Sequence, residues 1–195
     1  LPVSWRLNKS PMTMLSLDLG SHVFDLAQYL TQERPLKLVS MQSSHGHFEH
    51  LIDNCLILAE YTNNVDANIW FSKSALGYKN GLNVRVFGSK GSFQWTQSTP
   101  EVLIYNDNKG QQTILDRGQL NLIEATKKQY NRFKAGHPAG FLEAFANYYF
   151  DIASSLDNHI KSSKMFMIGI DSALNGIKMA EGIQVSSKNQ AWVTL

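Results

Sequence analysis

The sequence of 195 residues lacks the features of several specialised protein classes. Its one cysteine, Cys55, cannot form an internal disulfide or make a zinc site by itself, so we expect a reduced, cytoplasmic protein. Its 18 Lys and Arg residues barely exceed its 16 Asp and Glu residues, and a net charge of +2 provides no basic face for nucleic acid. No apolar run approaches the roughly 18 residues of a membrane span, and residues 1–9 are no signal peptide.

Phosphate-binding sequences are also missing. No Gly-x-Gly-x-x-Gly turn follows a strand and no Walker sequence occurs, so we expect the chain to lack a cradle for a dinucleotide. The chain begins without methionine, inside a predicted strand at Leu1–Trp5. We therefore expect it to be part of a longer protein whose upstream portion has been removed. Its 43% hydrophobic and 17% charged residues are otherwise typical of a globular protein.

Hydrophobic periodicity separates helical regions from strand regions. Apolar residues at helical spacing predict helices at about Ser16–Gln32, Phe141–Leu156 and Phe166–Ile183. Between them, alternating apolar and polar residues predict antiparallel strands joined by turns rich in Gly and Asn, such as Asn63-Asn64. The strands are predicted at Leu36–Phe48, Asn54–Thr62, Val65–Ala75, Leu82–Phe87, Ser92–Thr96, Val102–Asn106, Gln112–Leu115 and Ala191–Leu195.

The order of these elements predicts an α+β fold. The helices are not interleaved with the strands, so we expect an open, mostly antiparallel mixed sheet of about seven strands with helices packed on one face. In the strand around Cys55, Cys55 and Ile57 face one side while Leu56 and Leu58 face the other. Neither face suits contact with water, so we expect both to be covered.

One pair of residues has a spacing suited to proton transfer. Asp18 and His22 are four residues apart at the start of a predicted helix, so their side chains project from the same face. Imidazole has an ordinary pKa near 6.5 and can act as a general acid or base at neutral pH. A nearby carboxylate favours its protonated form. The alternative is a surface pair or a helix cap.

Several motifs together resemble one protein family. The opening Trp5-Arg6-Leu7 is followed by Asp18-Leu19-Gly20-Ser21-His22, and then by Asp25-Leu26-Ala27. Two further segments are similar to that family, and these are Val86-Phe87-Gly88-Ser89-Lys90-Gly91-Ser92 and the loop and helix at 136–147, which begins Gly136-His137-Pro138-Ala139-Gly140. Their order and spacing resemble the C-terminal domain of the Gfo/Idh/MocA oxidoreductases, a domain like the C-terminal domain of glyceraldehyde-3-phosphate dehydrogenase.

This resemblance implies a fold and a function. Residues 1–195 would form a single substrate-binding and oligomerisation domain, and NAD or NADP would be bound mainly by an N-terminal Rossmann domain absent from this chain. His22 would be the acid/base and Asp18 its partner in an oxidoreductase acting on a sugar, cyclitol or derivative. Arg6 and His137 would contact substrate. We expect a homodimer or homotetramer formed through the sheet face, and no activity from this fragment alone.

One departure from the family and one histidine cluster keep other functions open. Many family members have a glycine-rich turn before the aspartate, where this chain has Met12-Thr13-Met14-Leu15, so a non-catalytic binding or regulatory module of the same fold is the alternative. His45, His47 and His50 are close in sequence, and the first two would share a strand face. A solvated strand end explains this cluster better than a metal site, because Gly46 favours a turn, and we expect no metal.

Overall fold

The computed structural model describes residues 7, 10–119, 122–157 and 169–195. These residues divide into two compact units, one within residues 1–76 and 168–195 and the other within residues 77–167. The predicted strand at Leu1–Trp5 lies outside the described residues. In chain order, the elements are a π-helical turn (Ser16–Gly20), α1 (Ser21–Thr31), β1 (Pro35–Ser43), β2 (Asn54–Tyr61), β3 (Val65–Ser72), β4 (Asn83–Gly88), β5 (Gly91–Thr96), β6 (Val102–Asp107), β7 (Gln112–Asp116), α2 (Ile123–Thr126), α3 (Phe141–Leu156), α4 (Ile170–Asn189) and β8 (Val193–Thr194).

The first unit is an antiparallel sheet with helices on one face. Its strands have the order β3-β2-β1-β8. Helix α4 packs on β1, while α1 packs on α4 and β3. Strand β2 alternates as its sequence predicts, because Cys55, Ile57, Ala59 and Tyr61 are buried and Leu56 and Leu58 are exposed. The core between helices and sheet includes Leu15, Phe24, Leu38, Cys55, Ile57, Ala59, Tyr61, Ile69, Phe71, Met179 and Ile183.

The second unit contains a separate antiparallel sheet in the order β4-β5-β6-β7. Its hairpins follow the chain order because short turns join successive strands. The turn before β7 contains Gly110 at φ +84°, a conformation that favours glycine. Helices α2 and α3 follow this sheet in the chain, and Gln129 in the segment between them donates to the buried Asp151 of α3 at 2.8 Å.

The α+β class and the antiparallel strands predicted from the sequence are confirmed, as is the hairpin turn at Asn63 and Asn64, which both have positive φ. The prediction of one sheet is wrong, because the described strands form two sheets of four strands each. Residues 73–82 separate β3 from β4 and form a connection longer than a hairpin turn, with positive φ at Gly77 and Asn80. The chain therefore leaves the first sheet before β4 begins.

Helix α4 extends past the predicted end at Ile183 to Asn189, whereas residues 166–168 of the predicted helix lie outside the described range. The extra turns pack on β1 through hydroxyl groups. The N–H of Ser40 donates to Ser186 Oγ at 2.9 Å, and Ser186 Oγ donates to the Ala191 carbonyl at 2.7 Å. Serine carries no apolar signal, so hydrophobic periodicity ends before the helix does. None of the helices in the described part of the chain is long and apolar enough to cross a membrane.

We predict that Cys55 is unreactive in the folded protein. The side chain is fully buried, and burial raises the pKa of its thiol to about 12, so almost no thiolate is present near neutral pH. Labelling with a thiol reagent should be at least about 100-fold slower in buffer than in guanidinium chloride, since reaction requires unfolding. Rapid labelling under native conditions would show that β2 opens locally and would contradict this burial.

Candidate functional site

Asp18 and His22 lie on either side of a change in helical geometry. Asp18 belongs to the π-helical turn and His22 is the second residue of α1. The sequence predicts one continuous helix here, and the structure has a continuous helical segment that is π-helical at Ser16–Gly20, a feature often found at functional sites. Leu15 and Ser16 are buried and anchor the start of this turn. The hydroxyl of Thr13 lies 2.9 Å from that of Ser16.

Gly20 lets this turn approach the sheet. A Cβ at this position would lie 3.0 Å from the Phe24 ring and 3.1 Å from the Phe71 ring. These two rings pack edge to face with centroids 5.9 Å apart. The glycine between Asp18 and His22 is therefore required by close packing, since its φ of −60° is an ordinary helical value. The contact of Gly20 with these two rings consequently determines how closely Asp18 and His22 approach the sheet.

The carboxylate of Asp18 forms an ion pair with Lys73. Lys73 follows β3 directly and comes from 55 residues further along the chain. No local sequence pattern indicates Lys73, because only the fold brings the end of β3 next to the π turn. Lys73 therefore places a positive charge directly against the Asp18 carboxylate.

His22 is exposed and has a second carboxylate near it, one helical turn further on. Burial raises the pKa of Asp25 above its usual range, while a hydrogen bond with Ser172 of α4 and the charge of His22 act in the opposite direction. Asp25 is thus coupled electrostatically to His22 and anchored to α4. The sequence places Asp25 in a matching motif but assigns it no role.

His137 belongs to the second unit, in a loop organised by Arg117. The guanidinium of Arg117 pairs with Glu101 and donates to the carbonyl oxygens of Phe133, at 2.7 Å, and of His137. The other carboxylate oxygen of Glu101 accepts the N–H of Ala139 at 2.9 Å. The loop before α3 is therefore a fixed structure in which the His137 ring is exposed. His137 belongs to a motif visible in the sequence, whereas Arg117 lies 20 residues earlier in the chain and no motif indicates it.

The remaining predicted residues contribute less. Arg6 lies outside the described residues. His45, His47 and His50 are exposed in the loop between β1 and β2, and His45 Nε2 lies 2.8 Å from the Ser43 hydroxyl. Within the described ranges, no group of three or more His, Cys, Asp or Glu side chains could hold a metal ion. The loop is fixed by Asp53, whose carboxylate accepts N–H groups of His45 and Gly46.

A nicotinamide dinucleotide does not fit the residues that the structure describes. Every strand pairing in both sheets is antiparallel, so the described residues contain no parallel β-α-β unit of the kind that holds a dinucleotide. Gly88 and Gly91 belong to the β4-β5 hairpin rather than to a strand-to-helix turn. A Cβ at Gly91 would lie only 2.4 Å from the Asn106 carbonyl oxygen, so this glycine serves strand packing.

We predict that Arg117→Lys loosens the loop around His137. Arginine donates to several acceptors through a planar group, and lysine cannot reproduce that geometry. Loss of two or more of these hydrogen bonds should lower the free energy of unfolding by about 1–3 kcal/mol, as measured by chemical denaturation. Arg85→Lys, at an exposed position on β4, is the matched control and should change stability little. Equal stability of the two variants would contradict the role of Arg117.

Comparison with known proteins agrees with this architecture. Residues 1–94 match the family model described as the GFO/IDH/MocA C-terminal domain. The uncharacterized oxidoreductase YfiI of Bacillus subtilis (strain 168) is 28% identical over 200 residues, an alignment that covers 97% of this chain and 50% of that protein.

Solved structures show the same relationship. The oxidoreductase from Sinorhizobium meliloti is 28% identical with a TM-score of 0.84, covering 90% of this chain and 51% of that one. The inositol dehydrogenase homolog from Azotobacter vinelandii, complexed with NADH and myo-inositol, is 25% identical with a TM-score of 0.84, covering 98% of this chain and 52% of that one. The chain spans about half the length of these relatives. The resemblance inferred from the sequence motifs is confirmed, since residues 1–94 match the C-terminal domain model of this family and the chain as a whole is similar to one half of known oxidoreductases.

Proposed function

We propose that this chain is the substrate-binding and oligomerisation domain of an NAD(P)-dependent oxidoreductase that acts on a sugar, a cyclitol or a derivative. The observation that carries the proposal is the placement of exposed His22 next to the Asp18 turn, with a carboxylate partner at Asp25. The Azotobacter vinelandii structure, complexed with NADH and myo-inositol, supports this class of substrate. The cofactor would be bound mainly by an N-terminal Rossmann domain outside this chain, in a cytoplasmic protein.

His22 is the proposed acid/base. Its neutral imidazole accepts the proton from a substrate hydroxyl, while the nicotinamide, when bound, supplies the acceptor for the hydride that leaves the same carbon. Asp25, one helical turn further on, is coupled electrostatically to His22 and is its proposed carboxylate partner. Asp18 is held by Lys73 on the adjoining turn and serves as partner and substrate ligand. Arg6 and His137 are proposed as further substrate contacts.

We predict that His22→Ala in the full-length protein lowers kcat by about 100-fold or more, because a general base contributes on this scale. The measurement is reduction of NAD or NADP with a panel of sugars and cyclitols. Asp18→Asn should also lose activity, since it removes the charge that pairs with Lys73.

His50→Ala is the control for this experiment, because His50 is another exposed histidine of the same unit, in the loop between β1 and β2. It should keep wild-type turnover. Nearly full activity in the His22 variant would show that another group takes the proton and that the site assignment is wrong. The 195-residue chain alone should show no turnover.

A non-catalytic module of the same fold is the second candidate. It is favoured by Leu15, which is buried in the core at the position where many family members have a glycine-rich turn. A full-length protein that binds a polyol but turns over none of the panel would support this candidate and overturn the enzyme.

The oligomerisation part of the proposal is supported by the outer face of the first sheet. The strand register places Met41, Leu56 and Trp70 side by side, with Leu58 in the adjacent row. Leu58 and Trp70 are 52% and 56% exposed, although both are large and apolar. The sequence predicts that both faces are covered, and among the residues that the structure describes in this unit, helices pack on the inner face only. A second copy covering the other face would give a homodimer or homotetramer.

We predict that Leu58→Glu converts the oligomer into monomers, because the substitution would bury a carboxylate in an apolar interface. Analytical ultracentrifugation of the full-length protein measures the mass. Leu76→Glu, at a 95% exposed position outside this face, should leave the assembly unchanged. A monomeric wild-type protein would contradict the proposed interface directly.

A further inference from the structure

Lys73 joins the candidate site through the fold alone. Its ammonium pairs with Asp18, and no sequence motif connects the two residues. The pair lies at the end of β3, next to the helix that carries His22. An ion pair at the protein surface commonly adds little to the free energy of unfolding. The location of this pair beside His22 therefore points to a role in binding rather than in stability.

The backbone at Lys73 is fixed in place. The N–H of Lys73 donates to the Asp53 carbonyl at 2.7 Å, and the Ser72 hydroxyl donates to the same oxygen at 3.1 Å. The N–H of Ser74 donates back to the Ser72 hydroxyl, also at 3.1 Å. The Lys73 side chain therefore extends from an anchored segment toward Asp18, although it remains 42% exposed.

The chemistry of the pair matches hydroxyl groups. An ammonium has three N–H donors, of which Asp18 takes one, and a carboxylate offers several acceptor positions. Each hydroxyl of a polyol can donate one hydrogen bond and accept others. Of two neighbouring hydroxyls, one can therefore accept from the Lys73 ammonium while the other donates to the Asp18 carboxylate. The pair brings charges of opposite sign together, which suits the hydroxyl groups of a neutral polyol.

We propose that Lys73 is a substrate-binding residue, which together with Asp18 binds neighbouring hydroxyls of a neutral polyol beside the hydroxyl that His22 deprotonates. This inference rests on the proposed function. It adds Lys73, which directly follows β3, to the proposed substrate contacts Arg6, Asp18 and His137.

The test compares Lys73→Met with Lys37→Met in the full-length protein. Lys37 is the matched control, because it pairs with Glu60 at 2.8 Å in the same sheet and has a similar exposure of 43%. With myo-inositol as the probe, or the best substrate of the polyol panel, Lys73→Met should raise KM about 10- to 100-fold, the scale of a lost charged hydrogen bond. The change in kcat should be smaller, because a contact made in ground and transition states alike affects KM.

Lys73→Arg should recover at least part of the affinity, since it restores charge and donors. Unchanged KM in Lys73→Met, or an equal rise in Lys37→Met, would overturn the role of Lys73 while leaving wild-type turnover intact. If the wild-type protein binds a polyol without turnover, the same comparison is made on Kd by calorimetry, and a 10-fold loss at Lys73 alone supports the inference. A wild-type protein that neither binds nor oxidises any polyol overturns the proposed function and this inference together.

Discussion

The packing of α1 and α4 on one face of the first sheet is the constraint on which the candidate site depends. Leu38, Ile57 and Ile183 are almost completely buried in this layer, and the Phe24 and Phe71 rings continue it toward the π turn. Gly20 admits the turn to the same contact. Side chains in such a close-packed layer can shift only slightly. The positions of Asp18 and His22 are therefore consequences of apolar packing beneath them.

Four ionisable residues of the first unit form two pairs at the candidate site. Lys73 balances Asp18, and Asp25 lies near His22 while hydrogen-bonded to α4. The sequence predicts a single pair, Asp18 with His22. In the structure each member of this pair has a partner of opposite charge from elsewhere, Lys73 for Asp18 and Asp25 for His22.

The comparison of sequence and structure shows which information is local. Strands β2 and β3 are predicted within a few residues, because Asn63 and Asn64 mark their turn and apolar residues alternate on both sides. The division into two sheets is not local, since it depends on whether β3 and β4 pair. Asp18 and His22 form a recognisable motif in one segment. Lys73 and Arg117 do not, because each acts on residues far away in the chain.

Strand β2 connects the two proposed roles of the first unit. Its inner residues, such as Ile57, support the helical segment that carries the candidate pair Asp18 and His22, whereas Leu58 on the same strand faces outward. An open apolar face has a free-energy cost in water, and covering it with a second copy would remove that cost. Such a cover would also restrict the motion of the strand beneath the site. Assembly and catalysis would then depend on the same strand, so a polar substitution on its outer face would also disturb substrate binding.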